Sequence, residues 1–260
     1  MPVETTPDTI VEAQEAEYWF PYHYVAQMPA RGFAEHFVDE WGINYISTID
    51  FLLSEVARLN ASSIVDIGCG DGRLTREIAA RFDVPRCIGI DYSQRAICLA
   101  KAMNHDIPEQ RLSFVAADIT APDVNLGAFD VAILMEVFEH IPPCAAPDFL
   151  RGVRKLMRPG GRLLLTVPHT NKPVEYKHFQ HFDAASIRAW LSPHFTVLRV
   201  LPFEKRCLAR KVVTSLLSNR FFILNNRRAL SFIYRYYMRR LFHCDSEKQC
   251  QRLYVEAELR

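Results

Sequence analysis

Two short runs hold most of the side chains able to do chemistry. Glu136-Val137-Phe138-Glu139-His140 places two carboxylates and an imidazole within five positions, and Lys177-His178-Phe179-Gln180-His181-Phe182 follows further along. If the first run makes a helical turn, positions 136, 139 and 140 share one face. Two carboxylates and an imidazole on one face compete unless something positive sits between them. Oxygen and nitrogen ligands of this kind suit Mn²⁺, Mg²⁺ or Fe²⁺ better than a structural zinc. The expected metal set is Glu136, Glu139, His140 and His181, the last chosen because it directly precedes Phe182 and a helix start at Asp183; His178 is the other candidate. The same residues also read without a metal. His140, with Glu136, is then the catalytic pair, the imidazole acting as general base, and the later histidines pack or cap the next helix.

A third run, Asp66-Ile67-Gly68-Cys69-Gly70-Asp71-Gly72, ends a β-rich segment and precedes a helical one. Glycines permit a tight turn and a close backbone approach to a ligand, and the following helix N-terminus favours a carboxylate or phosphate. Alone, a glycine triplet proves little. Asp91, at the end of the next strand, is placed to accept hydrogen bonds from both hydroxyls of a ribose. Asp118, at the end of the third, is placed to reach an adenine amino group. The spacing is G-x-G-x-G, which differs from the G-x-G-x-x-G of dinucleotide-binding enzymes.

These residues need a scaffold, and the chain between about 62 and 202 supplies one. Strand-like runs at 63–67, 86–90, 112–116, 131–135, 162–167 and 196–201 alternate with helical stretches at 73–81, 94–104 and 145–156. Such alternation implies right-handed crossovers and an α/β, doubly wound, mainly parallel sheet. The runs are continuously apolar, as strands covered on both faces should be. A last strand is expected at 253–257.

The run V-D-I-G-C-G-D-G resembles the first motif of class I S-adenosylmethionine-dependent methyltransferases. Asp91 resembles that family's ribose-binding acid, Asp118-Ile119 its adenine-binding pair, and Arg158-Pro159-Gly160-Gly161 the turn before its fifth strand. The resemblance spans roughly residues 60–170. It implies a Rossmann-like seven-stranded sheet, and S-adenosyl-L-methionine held by Asp66, Gly68, Cys69, Gly70, Asp91, Tyr92, Asp118, Ile119 and Met135. On the acceptor side, E-x-x-E-H with a later histidine is similar to two groups. One is the small-RNA 3′-terminal 2′-O-methyltransferases, in which a metal holds a ribose diol. The other is the ubiquinone-biosynthesis O-methyltransferases, which act on catechols. The resemblance implies in-line methylation of a small-molecule or glycan-type oxygen. The alternatives are RNA-end methylation with bound metal and a silent, methyltransferase-like membrane adaptor.

Two flanks lie outside this alternation. Residues 1–60 hold an aromatic cluster, Tyr18, Trp19, Phe20, Tyr22 and Tyr24 with His23, then a helical pattern at 43–59; this part reads as a lid or as an anchor for the first helix. Residues 203–250 read as a basic helical insertion, leaving 61–202 and 251–260 as the core. From Lys205 to His243 ten lysines and arginines are interleaved with aromatic and aliphatic residues, and no acid occurs. A peripheral membrane contact, nucleic-acid phosphates, an anionic substrate and a plain helical cap all fit that pattern. The net charge of +1 gives nucleic acid no global support. Seven scattered cysteines without a C-x-x-C pair, and no secretory or membrane-spanning segment, point to a reduced, cytoplasmic setting.

Overall fold

The computed structural model describes residues 41–260 except 220, 223 and 225, together with residue 12 and a two-residue strand pair, Ala26–Gln27 and Ala34–Glu35. The aromatic cluster at 18–24, expected to act as a lid or anchor, lies outside the described residues.

Five strands follow one another, joined by helical crossovers except between the third and fourth, where a loop makes the connection: β1 (Ser63–Ile67), β2 (Arg86–Asp91), β3 (Leu112–Ala116), β4 (Phe129–Met135) and β5 (Met157–Pro168). Two more close the sheet, β6 (Phe195–Lys205) and β7 (Cys250–Leu259). The order across the sheet is β3-β2-β1-β4-β5-β7-β6, and only β7 runs antiparallel to its neighbours. The chain reverses its direction of progress between β1 and β4, so the carboxyl ends of those strands flank a crevice. All five residues of β1 are buried, as a central strand covered on both faces requires. The Arg158–Gly161 turn is a bulge in β5. The register passes from Phe129↔Met157 to Val131↔Arg162, with Gly160 at φ +74°.

Helices cover both faces. α1 (Trp41–Leu59), α2 (Arg73–Arg81) and α3 (Gln94–Met103) lie on one side, α4 (Ala146–Lys155) and α5 (Ala184–Leu191) on the other. α1 buries Ile49, Leu52, Leu53 and Val56, and sets the Phe51 ring 4.9 Å from Tyr254 and 5.5 Å from Phe242. On the opposite face Phe138 stacks on Phe182 at 5.3 Å, beside Phe149, Ile187 and Leu191. Asp183 caps α5 by accepting from Ser186 N, so the helix begins where the sequence places it. Between β6 and β7 stand α6 (Leu208–Leu217), α7 (Arg227–Tyr237) and a π-helical turn at Met238–Phe242. Among the described residues no helix is long and apolar enough to cross a membrane.

Candidate active site

The turn after β1 shows why its glycines fall at alternate positions. Gly68, Gly70 and Gly72 stand at φ +75°, +54° and +76°, a region that side chains resist. The amides of Gly68 and Cys69 both donate to Ile90 O, at 2.7 and 3.0 Å, pinning the turn to the end of β2. Asp91 then holds it from beneath. One carboxylate oxygen accepts from Gly70 N at 2.9 Å and the other from Ser93 N at 2.8 Å. A Cβ on Gly68 would come within 2.5 Å of Val137 Cγ2, so the first glycine also lets the loop after β4 approach.

A cavity of about 530 Å³ opens at these strand ends, a volume suited to a small organic ligand. Gly68, Cys69, Gly70, Asp91, Tyr92, Asp118, Ile119 and Met135 all line it, as expected of the cofactor set. Asp66 does not. It is buried beneath the turn, where it accepts from the Thr75 hydroxyl at 2.7 Å and ties α2 to β1. Burial, only partly offset by that hydroxyl, pushes its carboxyl up to about 7. Ile90, Ile119, Ala145 and Phe149 give the Asp118 end an apolar wall, and Asn44, Tyr45 and Thr48 of α1 close the other side. An acid at the end of β2, glycines without side chains and an apolar slot are the donor set a nucleoside carrying a small charged tail needs.

Opposite this end stand the acceptor-side residues, arranged differently from the expected helical face. Only Phe138–His140 forms a helical turn, and it is 3₁₀. Glu136 precedes it at φ +56°, its amide donating to Thr166 O and to Thr166 Oγ1 at 3.2 and 3.1 Å. There the Glu136 carboxylate accepts from Arg252 Nε at 2.7 Å, and it is not part of the ligand group formed with Glu139 and His140. Arg252 also binds Glu204, which in turn binds Arg210 of α6. Glu204 likewise stands at positive φ, +63°. Burial favours its neutral form, but the two guanidinium groups win and hold its pKa below the ordinary value.

The residues that do converge are Glu139, His140 and His178, with one ligand atom from each within 4.8 Å of the others. His178 therefore stands where the sequence places His181. The loop that carries it is laid over the 3₁₀ turn by Phe179 N, which donates to Glu139 O at 2.9 Å. His181 sits behind and fixes a tautomer. Its Nδ1–H donates to Lys172 O at 2.9 Å, so its Nε2 accepts from His178 Nδ1–H at 2.8 Å. His178 is left with its lone pair on Nε2. His140 is set the same way, its Nδ1–H donating to Lys177 O at 3.0 Å. Burial, reinforced by the neighbouring His140, pushes the His178 imidazole down to about 3, so it stays neutral. Glu139 is 1% exposed, and its Oε2 has no hydrogen-bond partner. Burial and then the Glu136 charge raise its pKa well above the ordinary carboxylate value. A buried carboxylate with an orphaned oxygen, grouped with two imidazoles, fits a divalent cation.

Arg252, Glu204 and the α1 residues were not singled out as site residues from sequence. The signal for Arg252 is topological: β7 is antiparallel, so its first residues lie beside the carboxyl end of β5, with Arg252 opposite Pro168.

Residues 64–161 match the family model described as a methyltransferase domain. A ubiquinone biosynthesis O-methyltransferase of Pseudomonas aeruginosa is 32% identical over 125 residues, 46% of this chain and 50% of that protein. The chloroplastic tocopherol O-methyltransferase of Arabidopsis thaliana is 35% identical over 106 residues, 39% of this chain and 29% of that protein. The chain spans about half the length of the first curated relatives it matches. Among solved structures, the methyltransferase domain of bacterial CtHen1-C superposes with a TM-score of 0.59 at 16% identity, covering 84% of this chain and 98% of that one. The N-methyltransferase NodS of Bradyrhizobium japonicum, in complex with S-adenosyl-L-homocysteine, gives 0.53 at 16% identity, covering 81% and 86%. These structures share the fold. Residues 64–161 thus match a methyltransferase-domain model, and the seven-stranded sheet to which they contribute shares its fold with those solved structures.

Proposed function

We propose that the protein transfers a methyl group from S-adenosylmethionine to an oxygen of a small-molecule acceptor bearing a second oxygen next to it. The single observation that carries this reading is the pair of fixed imidazole lone pairs beside the buried Glu139, on the wall of a cavity whose other end is built from the glycine turn and Asp91. Relatives similar to this chain are named as O-methyltransferases of ubiquinone biosynthesis and of tocopherol, which supports oxygen as the attacked atom.

When bound, S-adenosylmethionine supplies an already activated methyl group, so the protein's task is to align the acceptor and take one proton from it. Asp91 and Asp118 would meet the polar edges of the nucleoside, and Ile90, Ile119 and Phe149 would flank its base. Met135 and Tyr92 lie at the margins of the same slot. With no cation bound, His140 Nε2, with Nδ1–H committed to Lys177 O, accepts that proton; with a cation bound the same lone pair is a ligand and the proton leaves to water. Glu139, His140 and His178 would hold a divalent cation, which would grip adjacent oxygens and ease ionisation of the attacking one. Glu136 then positions Arg252 and does not join the ligands. We further take the protein to act in the cytoplasm, a reading supported by seven cysteines that all remain free thiols.

Calorimetry tests the reading in two parts. S-adenosylmethionine should bind the wild type and not Asp91→Ala. Mn²⁺ should bind metal-stripped protein saturated with S-adenosylhomocysteine, survive Glu136→Ala, and be lost in Glu139→Ala and His178→Ala. No affinity for S-adenosylmethionine or its demethylated product would defeat the proposal. Cofactor binding without metal binding would leave His140 as a metal-free base and move the acceptor to single hydroxyls.

A further inference from the structure

The insertion between β6 and β7 contains a helix that is apolar on its outer face as well as where Ala209 and Val213 pack on the core. α6 turns Arg210 and Thr214 inward, 6% and 6% exposed, where Arg210 binds the buried Glu204. Its outward face carries Leu208, Val212 and Leu216 at i, i+4 and i+8, exposed by 77%, 60% and 40%. A helix resting on a protein core ordinarily keeps its outer face polar. The segment beyond it presents Phe221 at 84% and Phe222 at 52%. α7 continues the pattern. Arg228, Phe232, Tyr236 and Arg240 form one exposed row, and Arg227, Ser231, Arg235 and Arg239 the exposed row beside it. Of the thirteen large hydrophobic residues exposed among those described, seven lie between Leu208 and Tyr236. Scattered exposed side chains are ordinary, whereas a cluster of this kind marks an interaction surface.

The chemistry of the surface selects its partner. Residues 205–243 contain ten lysines and arginines and no acid, so the occupant is anionic. Nucleic acid would use the arginines and the rings, but has no use for an aliphatic row of Leu208, Val212 and Leu216. Hydrocarbon does. Arginines beside an apolar row, able to lay their stems along it and carry their charge to headgroups, are the composition of an interfacial helix. We infer that α6, α7 and the Phe221-Phe222 tip between them dock on an anionic lipid bilayer, with the aliphatic and aromatic side chains seated among the headgroups.

The docked face is tied to the cavity. Tyr237 Oη donates to Asn44 Oδ1 at 2.7 Å, Tyr234 Oη donates to Asp50, and Asn44 lines the cavity. The helix that would lie on the bilayer is thus fastened to the helix that closes the site, which suits an acceptor carried in a membrane. Docking does not rest on methyl transfer, and its test reads binding alone.

The test is flotation of the full chain with vesicles of phosphatidylcholine, with and without phosphatidylglycerol. The expected result is flotation only with the anionic vesicles, reversed by high salt. Two double variants on exposed positions, Phe221→Ser with Phe222→Ser, and Val212→Asp with Leu216→Asp, should each lower the bound fraction at least about tenfold. Because the replaced side chains are exposed, both variants should keep the wild-type melting temperature. Absence of flotation with anionic vesicles at low salt overturns the inference, as does flotation unchanged in both variants. A wild-type dimer in solution that both variants abolish would assign the face to a second copy instead, and a short-RNA gel shift lost in both would assign it to nucleic acid.

Discussion

Replacing Arg252 with methionine tests whether the buried charge chain holds the acceptor side of the site together. The guanidinium bridges Glu136 and Glu204, two carboxylates on backbone at φ +56° and +63°. Glu204 is 2% exposed, whereas the Glu136 side chain is 26% exposed at the cavity. Removing one partner of a buried pair usually costs about 3–5 kcal/mol, because the other charge is left behind in a poor solvent. Glu204 keeps Arg210, and the methionine retains much of the arginine's volume, so the lower end applies, about 3 kcal/mol. For a domain of this size that corresponds to a melting temperature lowered by about 6–12 °C. Scanning calorimetry and urea unfolding measure it. Adding Glu204→Gln should recover about 1–2 kcal/mol by removing the stranded charge. Adding Glu136→Gln should recover less, because its side chain is the more exposed of the two. A loss below about 1 kcal/mol, or equal recovery from the two second changes, would refute the argument that Glu204 is the costly end of the chain.

Further expectations concern the cofactor end. Asp91→Ala removes the acceptor for Gly70 N and Ser93 N, so it should abolish calorimetric binding of S-adenosylmethionine and also lower the melting temperature. Gly68→Ala meets both a positive φ and Val137 Cγ2 at 2.5 Å, and should cost about 2–3 kcal/mol in urea unfolding. Val137→Ala in the same chain should return the steric part and leave the conformational part. Asp66 gives a pH signature. Its folded pKa of about 7 lies above its ordinary 3.8, so between those values the unfolded chain gives up a proton that the folded chain keeps. Stability should therefore fall as pH rises from about 4 to 7 and level off above, by a few kcal/mol at most. Asp66→Asn should flatten that slope, and a slope unchanged in this variant would remove Asp66 as its source.

What the sequence makes legible here is local. The strands are apolar runs of the right length, the helix at Arg73–Arg81 has the observed ends, and alternate glycines map onto alternate positive φ values. The acids closing β2 and β3 follow from the same strand-to-turn logic. What escapes depends on contacts between distant parts of the chain or on single backbone angles. The i, i+3, i+4 argument for residues 136–140 presumes that the turn starts at Glu136. One residue at φ +56° delays it, and the reason lies in Arg252, more than a hundred positions away and brought alongside by an antiparallel last strand. The choice between His178 and His181 turns on Phe182. Its burial against Phe138 fixes the loop so that His181 meets the Lys172 carbonyl and His178 meets the cavity.

The same contacts link the two ends of the molecule. Arg210 belongs to the helix whose outer face is proposed to meet lipid, and Glu136 belongs to the wall of the cavity, with Glu204 and Arg252 between them. A displacement of α6 on docking would pull on Glu204 first, because Arg210 of that helix is its ion-pair partner. Arg252 would follow, and with it the Glu136 carboxylate that neighbours Glu139 electrostatically. If docking moves α6, vesicles of phosphatidylglycerol should therefore change the affinity for Mn²⁺ in the wild type and leave it unchanged in Arg210→Met, where the first link is cut. Calorimetry with and without vesicles reads this directly. An equal vesicle effect in both proteins would mean that the ion-pair chain holds the site but transmits nothing to it.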